Sequence, residues 1–525
     1  MSNEQYKYDR YAALDQETRW ATEDEIRRAG TFVNLTAETY EAGGLPLMSD
    51  GKTAYVDGKD THTIIFGATG SKKTRLFCMP MVNMFVRAGE SFVVTDPKGE
   101  IYNRTAGMAK ANGYKTVVIN LRDIGKGDMW NPLALPLELY RNGNREDGVA
   151  MFSDFISMIA APQFERTNDV FWPQMASSFA TANLLLLAEC AKEEEVNLAS
   201  LGALCMQSNE SHLKWLSDRM SAETIAGLNF RNVLTGADNT RRSVYVSLYG
   251  MVSPFTSQKN LTAMLSGNTM NIADFGREKT AVYLIIPDEK TTLHFLATAF
   301  IKQTYEILIR EAQKEANNQL PVRVNFVLDE FCNMPKVPDM ASMISAARSR
   351  NIRYYLIAQS KHQLQGKYGE DADTIKGNCD NWVFLTSKEL DLLEEISQLC
   401  GSVYTAAGHL RRLISVSELQ RLSKERGEAL IMHARQYPTI SALADIDSYE
   451  MFKGYEAPDL SSIELPSTPV FDPKHLIKDA MDHKCNIPFA DPDVPFRYFD
   501  EPQIPKKPDA SSESTEDQLK RFFNN

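Results

Sequence analysis

Short apolar runs alternate with helix-like stretches in two separate parts of the chain. The runs are rich in β-branched and aromatic residues and end in polar or glycine-bearing turns, which is typical of buried strands in a parallel sheet. They lie at 63–66, 91–95, 115–120, 281–286, 323–328, 354–357, 382–386 and 428–434. The helix-like stretches between them, such as 74–87, 101–111 and 291–314, predict strand–helix–strand units. We therefore predict an α/β core with a mainly parallel sheet.

The segment between these two parts has helical periodicity and few strand signals. Its predicted helices lie at 151–159, 172–192, 197–207, 211–217 and 241–251. This pattern predicts an inserted all-α domain. The predicted organisation is a polar N-terminal segment at 1–60, an α/β domain in two parts at 61–144 and 271–445, the all-α insertion at 145–270, and an acidic, Pro-rich, partly disordered tail at 446–525.

Composition limits the classes of function. Apolar residues make up 43% of the chain and charged residues 24%, as in ordinary soluble globular proteins. The net charge of −12 excludes a basic surface coating the molecule, so any nucleic acid must be bound locally. The 7 cysteines are widely spaced, which indicates reduced thiols in a cytoplasm. No apolar run approaches the ~20 residues that cross a bilayer.

A glycine-bearing turn follows the strand predicted at 63–66. It reads Gly67-Ala68-Thr69-Gly70-Ser71-Lys72-Lys73-Thr74 and leads into a helix-like pattern. A strand, a loop of inward-pointing N–H groups and a helix N-terminus form a phosphate-binding loop, in which Lys73 would contact the phosphates of ATP and Thr74 would bind Mg²⁺. The usual pattern has glycine where Lys72 stands. In the usual loop shape this conformation would cost Lys72 about 1 kcal/mol.

Polar side chains also end two later strands. Asp329 and Glu330 follow the strand at 323–328, and Gln359 follows the next one. An ATPase needs one acid near Mg²⁺ and a second that orients or deprotonates water, so we assign Asp329 to the metal and Glu330 to the water. Because parallel strands end at one edge, Gln359 can lie near the γ-phosphate. Taken alone, Asp329 and Glu330 are better explained as solvated acids at an ordinary strand end, and Gln359 can be a polar strand cap; the Lys73-Thr74 loop favours the catalytic interpretation.

Two arginines and one further turn complete the candidates. Arg348 and Arg350 lie between the last two strands, and ring ATPases usually stabilise transition-state charge with an arginine from a neighbouring subunit. For Arg350 a solvated helix end remains a substantial alternative. The turn Asp96-Pro97-Lys98-Gly99-Glu100 follows the strand at 91–95. Spacing leaves open whether this turn supports the nucleotide pocket or only reverses the chain.

Five short motifs follow one another along the chain: Gly-Ala-Thr-Gly-Ser-Lys-Lys-Thr, Asp-Pro-Lys-Gly-Glu, Leu-Asp-Glu-Phe, Ala-Arg-Ser-Arg and Ala-Gln-Ser. With this set the chain resembles the TraG-like coupling proteins of type IV secretion and conjugation, within the wider class of hexameric DNA pumps with a RecA-like core. The resemblance spans roughly Gly43 to Ala444, and His62 and the pair Phe171-Trp172 also fit it.

The resemblance implies a RecA-like P-loop ATPase that uses ATP and Mg²⁺ and is a homo-hexamer when active. Its partners would be single-stranded DNA with bound relaxase, or protein substrates, the channel components of the secretion system, and a membrane-anchoring subunit. Residues 67–74 would bind nucleotide, Thr74 and Asp329 the metal, and Glu330, Arg348 and Gln359 would act in hydrolysis, with Arg348 as the finger supplied in trans. The all-α domain would recognise cargo.

The sequence departs from this family at two points. Lys72 replaces a glycine, which puts nucleotide affinity or turnover in question. Family members typically carry N-terminal membrane-spanning helices, whereas Met1 to Arg28 is polar. The expected location is therefore cytoplasmic and peripheral at the inner face of the membrane, through a partner or a missing anchor. Two other functions stay open: a soluble FtsK/HerA-like DNA pump or helicase, and a catalytically weak scaffold that binds nucleotide and recruits cargo.

Overall fold

Two compact units make up the chain in a computed structural model, which describes residues 18–164, 168–405, 407–463 and 468–500 (for Phe452, the backbone only). The first unit combines the described residues of 1–127 and 271–461. The second combines those of 128–270 and 462–525. The helical segment is therefore an insertion into the first unit, as the hydrophobic pattern indicates.

The first unit contains all fourteen strands of the described residues. In chain order they are β1 Thr31–Asn34, β2 Leu45–Ser49, β3 Thr53–Asp57, β4 Thr63–Phe66, β5 Ser91–Asp96, β6 Lys115–Asn120, β7 Thr280–Ile285, β8 Val324–Leu328, β9 Ile352–Ala358, β10 Asn381–Phe384, β11 Ser402–Tyr404, β12 Leu410–Arg412, β13 Glu428–His433 and β14 Thr439–Ala442. Every strand predicted from the apolar runs is present, with ends that shift by at most two residues.

One nine-stranded sheet forms the centre of this unit, in the order β14-β13-β10-β4-β9-β8-β5-β7-β6. The seven strands from β10 to β6 are parallel to one another, whereas β13 pairs antiparallel with both β10 and β14. The prediction of a mainly parallel sheet is confirmed. All residues of β4, β5, β8 and β9 are buried, because helices cover both faces of such a sheet.

Helices and two small sheets surround the central sheet. The first unit has the α-helices Glu23–Ala29, Met79–Ala88, Glu100–Ala111, His294–Lys314, Met340–Ala347, Lys361–Tyr368, Asp371–Gly377, Leu390–Leu399 and Val416–Leu419. The strands β1, β3 and β2 form an antiparallel sheet, and β11 and β12 form an exposed hairpin. The strands β2 and β3 are joined by the turn at Asp50-Gly51.

A buried arginine fixes the polar N-terminal segment to the sheet. Arg353 lies in β9, is fully buried, and pairs with the Glu90 carboxylate. Its Nη2 also donates to the Gly43 carbonyl at 3.1 Å, and its Nε donates to Asn325 Oδ1 at 2.7 Å. A buried guanidinium needs such partners because leaving it unpaired would cost several kcal/mol. The segment predicted at 1–60 is thus, where described, an integral part of the first unit.

Every regular element of the second unit is a helix in the described residues. The α-helices are Ala134–Arg141, Arg145–Phe164, Phe171–Cys190, Leu198–Leu204, Glu210–Ser217, Ile225–Leu234, Asp238–Ser257, Lys259–Met264 and Pro473–Met481. Helix Phe171–Cys190 is central, and its stretch from Phe179 to Ala188 is buried on all sides. Among the described helices, none combines the length and the apolar run that a membrane crossing requires.

The compact units differ from the predicted domain boundaries at two places. The second unit begins at Asp128 rather than 145, because helix Ala134–Arg141 packs on helix Arg145–Phe164. The predicted tail at 446–525 divides at Ser461, and its helix Pro473–Met481 buries Leu476 and Ile477 within the second unit. The disorder expected at 506–525 falls outside the described residues.

Buried His62, which precedes β4, makes the stability of this unit depend on pH. Its Nδ1 accepts the N–H of Tyr354 at 3.0 Å, and burial lowers the pKa of His62 to about 4. The unfolded chain, with a histidine pKa near 6.5, takes up the proton first, so the fold loses stability as pH falls from 6.5 towards 4. A depression of this size corresponds to about 3 kcal/mol.

We expect wild type to lose about 3 kcal/mol more than His62→Asn between pH 6.5 and 4 in urea unfolding experiments. Asparagine keeps an acceptor oxygen near the position of Nδ1 but does not titrate. The exposed His409→Asn is the matched control and should follow wild type. Equal pH slopes for His62→Asn and wild type would contradict the buried, neutral assignment.

Candidate nucleotide-binding site

The loop at 67–74 begins where three neighbouring strands end. The Gly67 N–H donates to the carbonyl of Ala358, the last residue of β9, at 3.1 Å. The next N–H, of Ala68, donates to the Thr386 carbonyl beyond β10 at 2.9 Å. These bonds attach the start of the loop to the strands on both sides of β4. The carboxyl edge of the parallel sheet therefore sets the position of the loop.

Two glycines give this loop its shape. A Cβ on Gly67 would lie 2.5 Å from the Ser71 Oγ, so a larger residue would clash. Gly70 has φ of +77°, a left-handed conformation that glycine adopts freely. Thr69 and Gly70 are exposed at the tip of the loop, while Ser71 is buried beneath it. The loop is thus a tight turn with its tip towards solvent.

The Lys73 side chain lies inside the loop and is 6% exposed. Its Nζ donates to the Gly67 carbonyl at 2.6 Å and contacts the Ala68 carbonyl at 3.4 Å. The ammonium is therefore held by backbone oxygens at the centre of the turn. Phosphate oxygens are the stronger acceptors for an ammonium group, so the same position suits an anion.

Thr74 and Asp329 form a pair of oxygen donors beside the lysine. The Thr74 hydroxyl donates to Asp329 Oδ2 at 2.8 Å, although the two residues are far apart in the chain. Asp329 is 4% exposed, and burial together with the nearby charge of Glu330 raises the pKa of Asp329 to about 6. A buried carboxylate of this kind is stabilised by a cation.

Hydroxyl and carboxylate oxygens are the ligands that Mg²⁺ prefers, and nucleotide-bound Mg²⁺ needs only one or two of them from the protein. In the described residues there is no cluster of three or more His, Cys, Asp or Glu side chains that would hold a metal unaided. The pair Thr74 and Asp329 fits Mg²⁺ that arrives with phosphate groups.

Glu330 and Gln359 form the next pair along the same edge. Gln359 Nε2 donates to Glu330 Oε2 at 2.6 Å, and the Thr69 hydroxyl donates to Gln359 Oε1 at 3.2 Å. Asn333 Nδ2 donates to the same oxygen of Glu330 at 3.0 Å. Gln359 thus connects the tip of the loop to the second acid. The amides of Gln359 and Asn333 therefore fix the orientation of this carboxylate.

The structure brings together Lys73, Thr74, Asp329, Glu330 and Gln359, as the shared strand edge predicts. It does not bring Arg348 to them. Arg348 begins the 3₁₀ turn Arg348–Arg350 before β9, at the opposite edge of the sheet from Gln359. The seven residues of β9 separate the two edges by about 20 Å. Arg348 is 55% exposed and pairs with Asp380 at 3.0 Å.

Lys72 adopts the conformation that its place in the loop predicts, with φ of +68°. Its Nζ lies 3.2 Å from Asp445 Oδ2. Asp445 also pairs with Arg75, which follows Thr74. Sequence reasoning missed Asp445 and Arg75, and no local signal connects them because 370 positions separate the two.

The turn at 96–100, whose role the sequence left open, leads into helix Glu100–Ala111 with Gly99 at the N-cap position. Asp96 Oδ2 accepts the Tyr102 N–H at 2.7 Å at the start of helix Glu100–Ala111. Asp96 is fully buried, and burial raises the pKa of this carboxyl to about 6. Its Oδ2 therefore satisfies one N–H group in the first turn of this helix.

A family model for the conjugative DNA transfer proteins of type IV secretory systems matches residues 19–418. This match covers most of the chain, including every residue of the site. The chain belongs to this family. The resemblance to TraG-like coupling proteins is therefore confirmed, and the site at residues 67–74, 329–330 and 359 is a site of a conjugative DNA transfer protein.

Two curated relatives from Escherichia coli are both called conjugal transfer protein TraG. One is 22% identical over 427 residues, which cover 74% of this chain and 64% of the relative. The other is 23% identical over 431 residues, which cover 74% of this chain and 65% of the relative. The chain thus spans a little less than two thirds of the length of these relatives.

Solved structures of the plasmid coupling protein TrwB have the same fold. The complex of TrwB with the non-hydrolysable ATP analogue ADPNP has a TM-score of 0.61 at 13% identity and covers 86% of this chain and 97% of TrwB. The complex with ADP and Mg²⁺ has a TM-score of 0.53 at 14% identity and covers 85% and 95%. The predicted RecA-like P-loop core with an all-α insertion is confirmed as the fold.

Proposed function

We propose that this chain is the ATP-hydrolysing coupling protein of a type IV secretion or conjugation system, which recruits single-stranded DNA with bound relaxase, or protein substrates, and drives it to the membrane channel. The observation that carries the proposal is the meeting of Thr74 with Asp329 and of Gln359 with Glu330 around one loop. It occurs in a chain of the conjugative DNA transfer family. TrwB, which shares the fold, binds ADPNP, and ADP with Mg²⁺.

In this proposal the residues of the loop, 67–74, bind the phosphates of ATP. Lys73 exchanges its contact with the Gly67 carbonyl for phosphate oxygens, and Thr74 with Asp329 holds Mg²⁺. When bound, Mg²⁺ neutralises charge that develops on the phosphate oxygens. Asp329 is well suited to this role because its burial disfavours an uncompensated negative charge.

Glu330 is the proposed base for the attacking water. It lies at the carboxyl edge beside Asp329, and its Oε2 is fixed by Gln359 and Asn333. Gln359 also contacts Thr69 at the loop tip, so an occupant of the loop would change the bonds that orient Glu330. Gln359 thereby senses the γ-phosphate.

The proposed role of Arg348 in hydrolysis requires a second copy of the chain. At about 20 Å from its own loop it cannot reach a nucleotide bound there, but its exposed guanidinium is available to a neighbouring subunit. A homo-hexameric ring would place each Arg348 against the loop of the next copy, where it stabilises transition-state charge.

The proposed location is at the inner face of the membrane, through an anchoring subunit or anchor segment, in contact with channel components.

Glu330→Gln is expected to lower ATP hydrolysis at least about 100-fold, because the amide cannot accept the proton from water. Its affinity for ATP should change less than about three-fold, since glutamine keeps the size and the bonds of Glu330. Single-turnover hydrolysis and equilibrium binding of Mg²⁺–ATP, each with and without single-stranded DNA, measure the two effects. The exposed Glu425→Gln is the matched control and should hydrolyse like wild type.

Two outcomes would favour the alternatives. A wild type that binds ATP without hydrolysing it, with or without DNA, would indicate a scaffold. The feature that favours this alternative is Lys72, which stands where the loop usually has glycine. ATP hydrolysis without any association with a relaxase or channel component would indicate a soluble DNA pump. Crosslinking and pull-down of the chain from its native cell makes that second distinction.

A further inference from the structure

Lys72 occupies a left-handed position where the phosphate-binding loop passes into its helix. Its φ is +68°, and its carbonyl accepts the Leu76 N–H at 2.9 Å, the first bond of the following turn. For a residue with a Cβ this conformation is less populated than the right-handed one by about five-fold or more. Something outside the loop must therefore favour it.

The Lys72 side chain contacts a turn that lies far along the chain. Its Nζ is 3.2 Å from Asp445 Oδ2, with 27% of the lysine side chain and 23% of the aspartate side chain exposed. Asp445 also accepts from Arg75 Nε at 3.2 Å. Arg75 in turn pairs with Asp447, which lies 3.5 Å from Arg104. The loop and its neighbouring helices thus present three cations to two carboxylates.

The turn that carries these carboxylates is held in place by a hydrogen bond and by buried side chains. The Asp445 side chain accepts the Asp447 N–H, and Ile446 and Tyr449 are buried in the core of the first unit. A carboxylate on such a turn has a defined position, so the Lys72 side chain that pairs with it also has one. The stabilisation energy of a partly exposed ion pair is of the same order as the free-energy cost of the left-handed conformation. The presence of the pair can therefore decide which conformation Lys72 adopts.

We propose that Asp445 is a positioning residue for nucleotide binding, which holds Lys72 in the left-handed conformation and keeps its ammonium outside the phosphate-binding turn. Glycine, the usual residue at this position, adopts the left-handed conformation freely. In this loop the ion pair to a distant carboxylate offsets the conformational cost that lysine has there. The inference rests on the proposed function, since it concerns the same loop. It predicts that nucleotide affinity depends on Asp445 only when residue 72 is lysine.

The test is a set of Mg²⁺–ADPNP affinities measured by calorimetry on the full chain. Asp445→Asn is expected to weaken binding about five-fold when residue 72 is lysine, and less than two-fold when it is introduced into Lys72→Gly. Glycine adopts φ near +68° without a Cβ penalty, so it no longer needs the carboxylate. Asp447→Asn is the matched control: it also removes a partner of Arg75 but none of Lys72, and it should weaken binding less than two-fold.

The double variant separates positioning from folding. If Asp445→Asn acts by loosening the fold or by releasing Arg75, the same loss of affinity will persist with glycine at position 72, and the inference is overturned. It is also overturned if Asp445→Asn and Asp447→Asn bind alike. A wild type that does not bind Mg²⁺–ADPNP at all would instead refute the proposed function, so the two failures are distinct.

Discussion

Lys73→Ala is expected to lower DNA-stimulated ATP hydrolysis at least about 100-fold. The Lys73 ammonium lies inside the loop against the Gly67 carbonyl. Alanine removes this positive charge, which in the proposed function stabilises the negative charge on the phosphates in the transition state. Binding of Mg²⁺–ATP should weaken as well, because in the proposed function Lys73 contacts phosphate both in the bound substrate and in the transition state. Steady-state ATPase assays and equilibrium binding measure the two effects.

Lys110→Ala provides the control for this variant. Lys110 is exposed near the end of helix Glu100–Ala111, so its replacement should leave hydrolysis close to that of wild type. Thermal unfolding of both variants shows whether the fold is retained. Hydrolysis by Lys73→Ala at the rate of wild type would disprove the assignment of the whole site, since every other role depends on phosphates bound in this loop.

Arg348→Ala is expected to lower kcat about 1,000-fold while the affinity for ATP changes little. The guanidinium lies at the sheet edge opposite to the loop of its own chain, so its effect on hydrolysis must act on a neighbouring copy. Asp380→Asn breaks the ion pair of Arg348 but leaves the guanidinium in place. We expect Asp380→Asn to retain most of the activity, which separates a role in catalysis from a role in holding the turn.

A mixing experiment tests the action in trans. Arg348→Ala has an intact loop and Lys73→Ala has an intact arginine, so a ring that contains both variants holds some complete sites at their boundaries. Mixing the two inactive proteins is expected to restore a measurable fraction of ATPase activity. A mixture that stays as inactive as its components, or an Arg348→Ala as active as Arg350→Ala, would contradict the role of Arg348.

The strands could be predicted closely because their environment is simple. Strands such as β4 and β9 are buried on both faces, so they appear as uninterrupted apolar runs with clear ends. The helices Met340–Ala347, Lys361–Tyr368 and Ile225–Leu234 were missed because short helices present too few turns for a clear periodicity. The antiparallel pairing of β13 was missed because a run of apolar residues does not encode the direction of its neighbour, and the short strand β14 was not predicted at all.

By itself the sequence determined the α/β class, the order of the strands along the chain and the residues with the right chemistry at strand ends. These follow from local patterns of hydrophobicity and turn-forming residues. Only the tertiary structure decided that Thr74 meets Asp329, that Arg348 lies at the far edge, and that Asp445 pairs with Lys72. Contacts of this kind depend on the order of strands in the sheet and on the position at which a turn distant in sequence packs. No short stretch of sequence contains that information.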